Sequence, residues 1–209
     1  MDRRKFLEAS ALGSLVATLP ASAEVKGIAT PPETEGPFYP IVAQSDKDYD
    51  LTKVTGHDSV AKGKHIYVQG RVIDTDGNPV PEVTVDLWQA NAAGRYNHPH
   101  DDNPAPVDDD FQSWAILATT TNGEFNFKTV MPGAYPVSKE WSRPPHIHFK
   151  ITKKGYVELI TQMYFPDHPL NDIDKLLQRK SKDEQQLMIS TSSETNSDTY
   201  IYTIIIEKA

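Results

Sequence analysis

The chain has 209 residues, 38% of them hydrophobic and 24% charged, which describes an ordinary folded protein long enough for one sizeable core. It contains no cysteine, so disulfides, thiolate metal sites and cysteine nucleophiles are excluded. A formal net charge of -8 with no extended basic cluster argues against nucleic acid or an anionic membrane as partner.

Residues 1–23 read as an export signal. Asp2-Arg3-Arg4-Lys5 forms a charged start, Phe6 to Leu19 is mostly apolar, and Ala21-Ser22-Ala23 is a small-residue cleavage site. The apolar run is shorter than the roughly 20 residues a bilayer span needs, and Glu8 interrupts it. The paired arginines before Phe6-Leu7 resemble a twin-arginine signal, which implies a periplasmic destination and a chain that folds before export. Removing this segment takes away three basic and two acidic residues, so the remaining chain is slightly more acidic.

Residues 24–62 are polar and turn-rich, with Pro31-Pro32 and Gly36-Pro37 as breakers, and read as an extended arm on the domain formed by residues 63–209. His65 to Asp74 alternates as a strand, Asp76-Gly77-Asn78-Pro79 is a turn, and Val83 to Ala90 is a second strand with Val83, Val85 and Leu87 on one face. Gly94 to Asp110 is a long irregular stretch, and loops of that length in a compact domain are usually functional. Trp114 to Thr121 and Gly123 to Lys128 read as a hairpin around Asn122-Gly123. His146 to Thr152 and Val157 to Tyr164 read as a strand pair, and Tyr200 to Glu207 as a last strand. Helical character is confined to Asn171–Arg179 and Asp183–Met188. Short strands, nine Tyr, 16 Pro and little helix predict an all-β, single-domain β-sandwich with long active-site loops and one or two short helices.

The sharpest chemical signal is Arg143-Pro144-Pro145-His146-Ile147-His148. On a strand, residues i and i+2 face the same way, so the two imidazoles stand side by side. That pair suits a metal, and equally suits two histidines that only hydrogen-bond within a sheet. No acidic residue follows at the spacing a cupin uses, and no third zinc ligand is evident nearby. His98 and His100, with Asp101 and Asp102, form a rival cluster. His57, His65 and His168 lie in the arm, beside it, or in a proline-rich turn. Tyr135 in Pro132-Gly133-Ala134-Tyr135-Pro136 and Tyr96 in Gly94-Arg95-Tyr96 are, singly, compatible with simple packing.

Taken in order, these residues resemble the intradiol ring-cleaving dioxygenases, the family of protocatechuate and catechol dioxygenases. The resemblance runs from Thr34-Glu35-Gly36-Pro37-Phe38-Tyr39 to the strand ending near Tyr164. It rests on Tyr96 after Asp86-Leu87-Trp88-Gln89-Ala90, Tyr135 in its Pro-Gly-x-Tyr-Pro turn, Arg143-x-x-His146-x-His148, and Gln162 in Thr161-Gln162-Met163-Tyr164. It implies Fe(III) held by Tyr96, Tyr135, His146 and His148. It further implies a catechol-type diol and O2 as substrates, and a cis,cis-muconate-type dicarboxylic acid as product. A ferric ion is a hard Lewis acid that favours phenolate oxygen beside imidazole, and a trivalent cation stabilises the phenolate form. Tyr135 maps to the tyrosine that gives way to substrate and takes up a proton, Arg143 to the cation that stabilises charge developing on the ring, and Gln162 to its support. All four ligands occur in one chain, so a homo-oligomer would suffice. Val137 stands where the protocatechuate enzyme's iron-binding subunit has an aromatic residue, which argues against protocatechuate itself. The alternative is a non-catalytic, transthyretin-like or regulatory-type β-sandwich, since residues Gly70 to Pro81 fit that strand-turn-strand pattern as well.

Overall fold

The computed structural model describes residues 27–44 and 46–209. The proposed export signal lies outside them. Two four-stranded sheets face each other. The first contains β1 (His65–Asp74), β4 (Glu124–Val130), β9 (Thr191–Ser192) and β10 (Thr199–Ile206), in the order β4-β1-β10-β9. The second contains β2 (Thr84–Trp88), β3 (Trp114–Ala118), β7 (His146–Thr152) and β8 (Leu159–Tyr164), in the order β3-β2-β7-β8. A small hairpin of β5 (Tyr135–Ser138) and β6 (Trp141–Arg143) stands apart. The chain is all-β, as its alternating strands predict.

Alternation explains the layering. Ile66, Val68 and Val72 of β1 are buried while Tyr67 between them is exposed. Val85 and Leu87 of β2 and Ile147, Phe149 and Ile151 of β7 point into the same core. Phe149 meets Phe125, Phe127 and Tyr202 from the opposite sheet at centroid distances of 6.0, 6.2 and 5.6 Å. Burying one such side chain contributes about 1.5–3 kcal/mol.

The expectation of a hairpin at Asn122-Gly123 is corrected. A turn does form there, with Gly123 N donating to Thr120 O and Thr120 N to Glu124 O. Its two arms join different sheets, however: β3 pairs with β2, and β4 with β1. Turn chemistry dictates a local reversal, and the apolar faces of the two arms then dictate which layer each joins. The expected helix at 171–179 is instead two 3-10 segments, Pro169–Ile173 and Leu177–Arg179. The second helix is α1 (Lys182–Met188), started by a capping box between Ser181 and Glu184.

The N-terminal arm crosses both sheets. Thr30 exchanges hydrogen bonds with Ile205, Glu33 N donates to Ile160 O, and Thr161 Oγ1 donates to Pro31 O. Further on, Leu51 is fully buried and its amide donates to Lys128 O. Among the described residues no helix is long and apolar enough to cross a membrane.

Candidate active site

The inward side of β7 is spent on the core, so His146 and His148 emerge on its outer face. Register then sets their neighbours. His148 lies between Trp88 of β2 and Gln162 of β8, and His146 lies opposite Tyr164. Trp88 stacks on the His148 ring at 4.8 Å and 10°. The 94–110 loop, the β5–β6 hairpin and the arm cover this face, and His146 and His148 are both almost fully buried.

The two tyrosines come from segments that abut through glycine. A Cβ on Gly94, which has φ +82°, would lie 2.5 Å from Ala134 O, and one on Gly133 would lie 2.4 Å from Gly94 N. Asn91 O accepts from both amides, at 3.0 Å from Gly94 and 2.9 Å from Gly133. The result brings Tyr96 and Tyr135 edge to face at 5.6 Å. Tyr96 is set further by Asp101, whose carboxylate accepts from its amide at 2.7 Å. From the arm, Phe38 packs on the Tyr96 ring at 4.8 Å.

The Tyr96 hydroxyl lies 3.0 Å from His148 Nε2 and 3.3 Å from His146 Nε2. The Tyr135 ring is 5.7 Å from that of His146. His146 Nδ1 donates to Pro144 O at 2.7 Å, which leaves its Nε2 lone pair facing the cluster. His148 Nδ1 is buried without a hydrogen-bond partner among the described residues. Burial, and then the nearby Arg143 cation, push the His148 pKa down to about 3 and that of His146 well below the ordinary value, so both rings are neutral. Burial pushes both tyrosine hydroxyls up, while Arg143 pulls each back. Without a bound cation, both tyrosines therefore stay neutral phenols. Donors bonded to one small cation at roughly 2.0–2.2 Å lie about 3 Å apart, so the Tyr96, His146 and His148 spacings fit such an ion. Among the described residues no group of three or more His, Asp or Glu has that arrangement, and the rival His98–His100 cluster gains no metal geometry.

Beside the cluster lies a buried polar group. Arg143 Nη2 donates to Gln162 Oε1 at 2.7 Å and to the Tyr164 hydroxyl at 2.8 Å, and its Nε is 3.0 Å from Asp174 Oδ1. Gln162 Nε2 donates to Thr34 O of the arm at 3.0 Å. All six sequence-predicted residues thus fall in one region. The stacking Trp88, the covering Phe38 and the buried partners Tyr164 and Asp174 were not predicted. Trp88 and Phe38 lie inside the family-like motifs, whereas Asp174 carries no local signal. Arg95, next to Tyr96, staples its own loop by donating to Asp101 O, Asn103 O and Ala105 O.

Two phenols and two neutral imidazoles on an all-β sandwich form a donor set suited to a hard cation, with a buried arginine held beside it. The chain belongs to the intradiol dioxygenase family: a family model described as Dioxygenase matches residues 34–207. It is 41% identical over 150 residues to a protocatechuate 3,4-dioxygenase beta chain of Burkholderia cepacia, covering 70% of this chain and 63% of that one. It is 34% identical over 152 residues to a chlorocatechol 1,2-dioxygenase of Cupriavidus pinatubonensis, covering 64% of this chain and 54% of that one. The chain therefore spans less than two thirds of either relative. In fold it resembles 3-chlorocatechol 1,2-dioxygenase of Rhodococcus opacus, with a TM-score of 0.66 and 24% identity over 90% of this chain and 76% of that one.

Proposed function

We propose that this protein is an Fe(III)-dependent intradiol dioxygenase that cleaves a catechol-type diol with O2 to a cis,cis-muconate-type dicarboxylic acid, and that it is exported to the periplasm. The observation that carries the reading is the convergence of the Tyr96 hydroxyl on the Nε2 atoms of His146 and His148, with Tyr135 alongside. Tyr96, Tyr135, His146 and His148 would hold the iron, whose Lewis acidity would draw in the diol as an anion and open its ring to O2.

The chain's own groups do the rest. Tyr135 receives a hydroxyl proton of the diol on its phenolic oxygen, a state that burial favours. Arg143 supplies fixed positive charge where negative charge develops on the ring, and Gln162 holds its Nη2. The packed outer face, with Trp88 and Phe38, excludes water. Arg95 spends both terminal nitrogens on loop carbonyls, so they are not available to clasp a substrate carboxylate, which favours an uncarboxylated catechol.

The test is ferric reconstitution followed by metal analysis, visible spectroscopy and oxygen uptake with catechol, protocatechuate, hydroxyquinol and substituted catechols. A tyrosinate-to-iron band and uptake with a diol are expected. Colourless protein with both tyrosines intact would sink the proposal and favour a binding module.

A further inference from the structure

Asp174 is a fully buried carboxylate at the end of the 3-10 segment Pro169–Ile173. An isolated charge in that position would be costly, so its partners reveal what it holds. Its Oδ1 lies 3.0 Å from Arg143 Nε and accepts from Trp141 Nε1 at 3.2 Å. Its Oδ2 accepts from Leu177 N at 3.2 Å and lies 3.2 Å from the Tyr164 hydroxyl. Trp141 and Arg143 are residues i and i+2 of β6, on one face, so a single carboxylate grips both ends of that short strand. The same hairpin carries Tyr135, paired directly with Arg143.

The guanidinium is planar, so hydrogen bonds on one nitrogen and an ion pair along another edge restrain the direction of the third. Nη2 is held by hydrogen bonds to Gln162 and Tyr164, while Nε, enclosed without a hydrogen bond of its own, meets Asp174 Oδ1 as an ion pair at 3.0 Å. Nη1 makes no hydrogen bond among the described residues and is not among the fully enclosed atoms without a partner. We infer that Asp174 is a positioning residue: through its buried ion pair with Arg143, with Tyr164 bracing the other side, it keeps Nη1 turned to the bound diol and neutralises the buried cation. The inference rests on the ring-cleavage reading for its kinetic part and stands on the buried ion pair for the rest.

The experiment is a double-variant cycle on the full chain loaded with ferric iron, using Asp174→Asn, Arg143→Gln and both together. Asp174→Asn is expected to keep the visible tyrosinate band and lower kcat for catechol about 10- to 100-fold with KM changed far less, the range seen when an outer partner is lost. In the Arg143→Gln background the same change should cost nothing more in kcat, and the double variant should melt higher than the sum of the single losses implies. Losses that multiply in kcat, melting losses that add, or iron loss in Asp174→Asn would each overturn the inference. If Asp174→Asn does not fold, Tyr164→Phe takes its place: its kcat loss should vanish in the Arg143→Gln background, and persistence there overturns the inference. Wild-type protein that takes up no oxygen with any diol defeats the ring-cleavage reading alone, and the melting cycle still decides whether Asp174 and Arg143 act as a unit.

Discussion

Gly94 and Gly133 meet backbone to backbone, and neither position has room for a Cβ. That approach is what sets Tyr96 and Tyr135 5.6 Å apart, since each tyrosine follows its glycine by two residues. Gly133→Ala should therefore force the two segments apart, with an overpacking cost of about 1–3 kcal/mol. The measurement is a denaturant melt beside the visible spectrum of ferric protein. The tyrosinate band is expected to weaken by more than the stability loss alone explains; an unchanged band would show that the glycines do not set the tyrosine spacing.

His146→Ala and Arg143→Ala should fail in different ways. The first removes an Nε2 that faces the Tyr96 hydroxyl, so bound iron and colour should be lost. The second removes a cation that lies beside the donor cluster, so colour should persist while turnover falls by about 100-fold or more. Metal content and kcat, measured on both variants, check this. Equal iron loss in the two would refute the separation of roles.

Part of this site is legible in the chain itself. Period-two alternation puts His146 and His148 on one face, and the glycine and proline around Tyr135 mark an exposed turn. Neither signal says which face of which sheet is covered. Burial of Ile147 and Phe149 in the core settles that, and it depends on strands far away in sequence. Asp174 lies 33 residues from Trp141, just past a 3-10 segment and before the next, so only the folded chain brings it to Arg143. Asn122-Gly123 shows the opposite limit, a correct local turn whose arms are shared between two layers.

A second buried aspartate ties down Lys208, just past β10, and should contribute to acid stability. Asp74 Oδ1 accepts from the amides of Asp76 and Asn78 at 3.0 and 2.8 Å, and its Oδ2 lies 3.0 Å from Lys208 Nζ. Burial would raise its pKa, but the Asn78 and Lys208 bonds outweigh it and hold the carboxyl below its ordinary value. A depressed folded pKa means stability that is full above the unfolded value, about 3.9, and lost as pH falls through the folded one. Denaturant melts across that acid range should show a shallower pH slope in Asp74→Asn than in wild type. An identical slope would remove Asp74 from the acid transition.

Asp86 offers a test of how the arm is held over the site. It sits on the outer face of β2, two residues before Trp88, and is buried. Its Oδ2 accepts from the Tyr39 hydroxyl and its Oδ1 from Trp114 Nε1, both at 2.7 Å. Tyr39 in turn packs edge-on against Trp88 at 4.9 Å, and Trp88 stacks on His148. One carboxylate thus links the arm to the strand whose tryptophan backs an imidazole of the cluster. Asp86→Ala leaves two donors without a partner, at a cost of about 1–3 kcal/mol each if they stay buried. The arm relieves that cost by lifting Tyr39 into water, so limited proteolysis should cut between residues 33 and 44 faster than in wild type. Asp86→Asn keeps one acceptor oxygen and should fall between the two. Unchanged cleavage in Asp86→Ala would mean that the backbone bonds of Thr30 and Glu33 hold the arm without help from the Tyr39 contact.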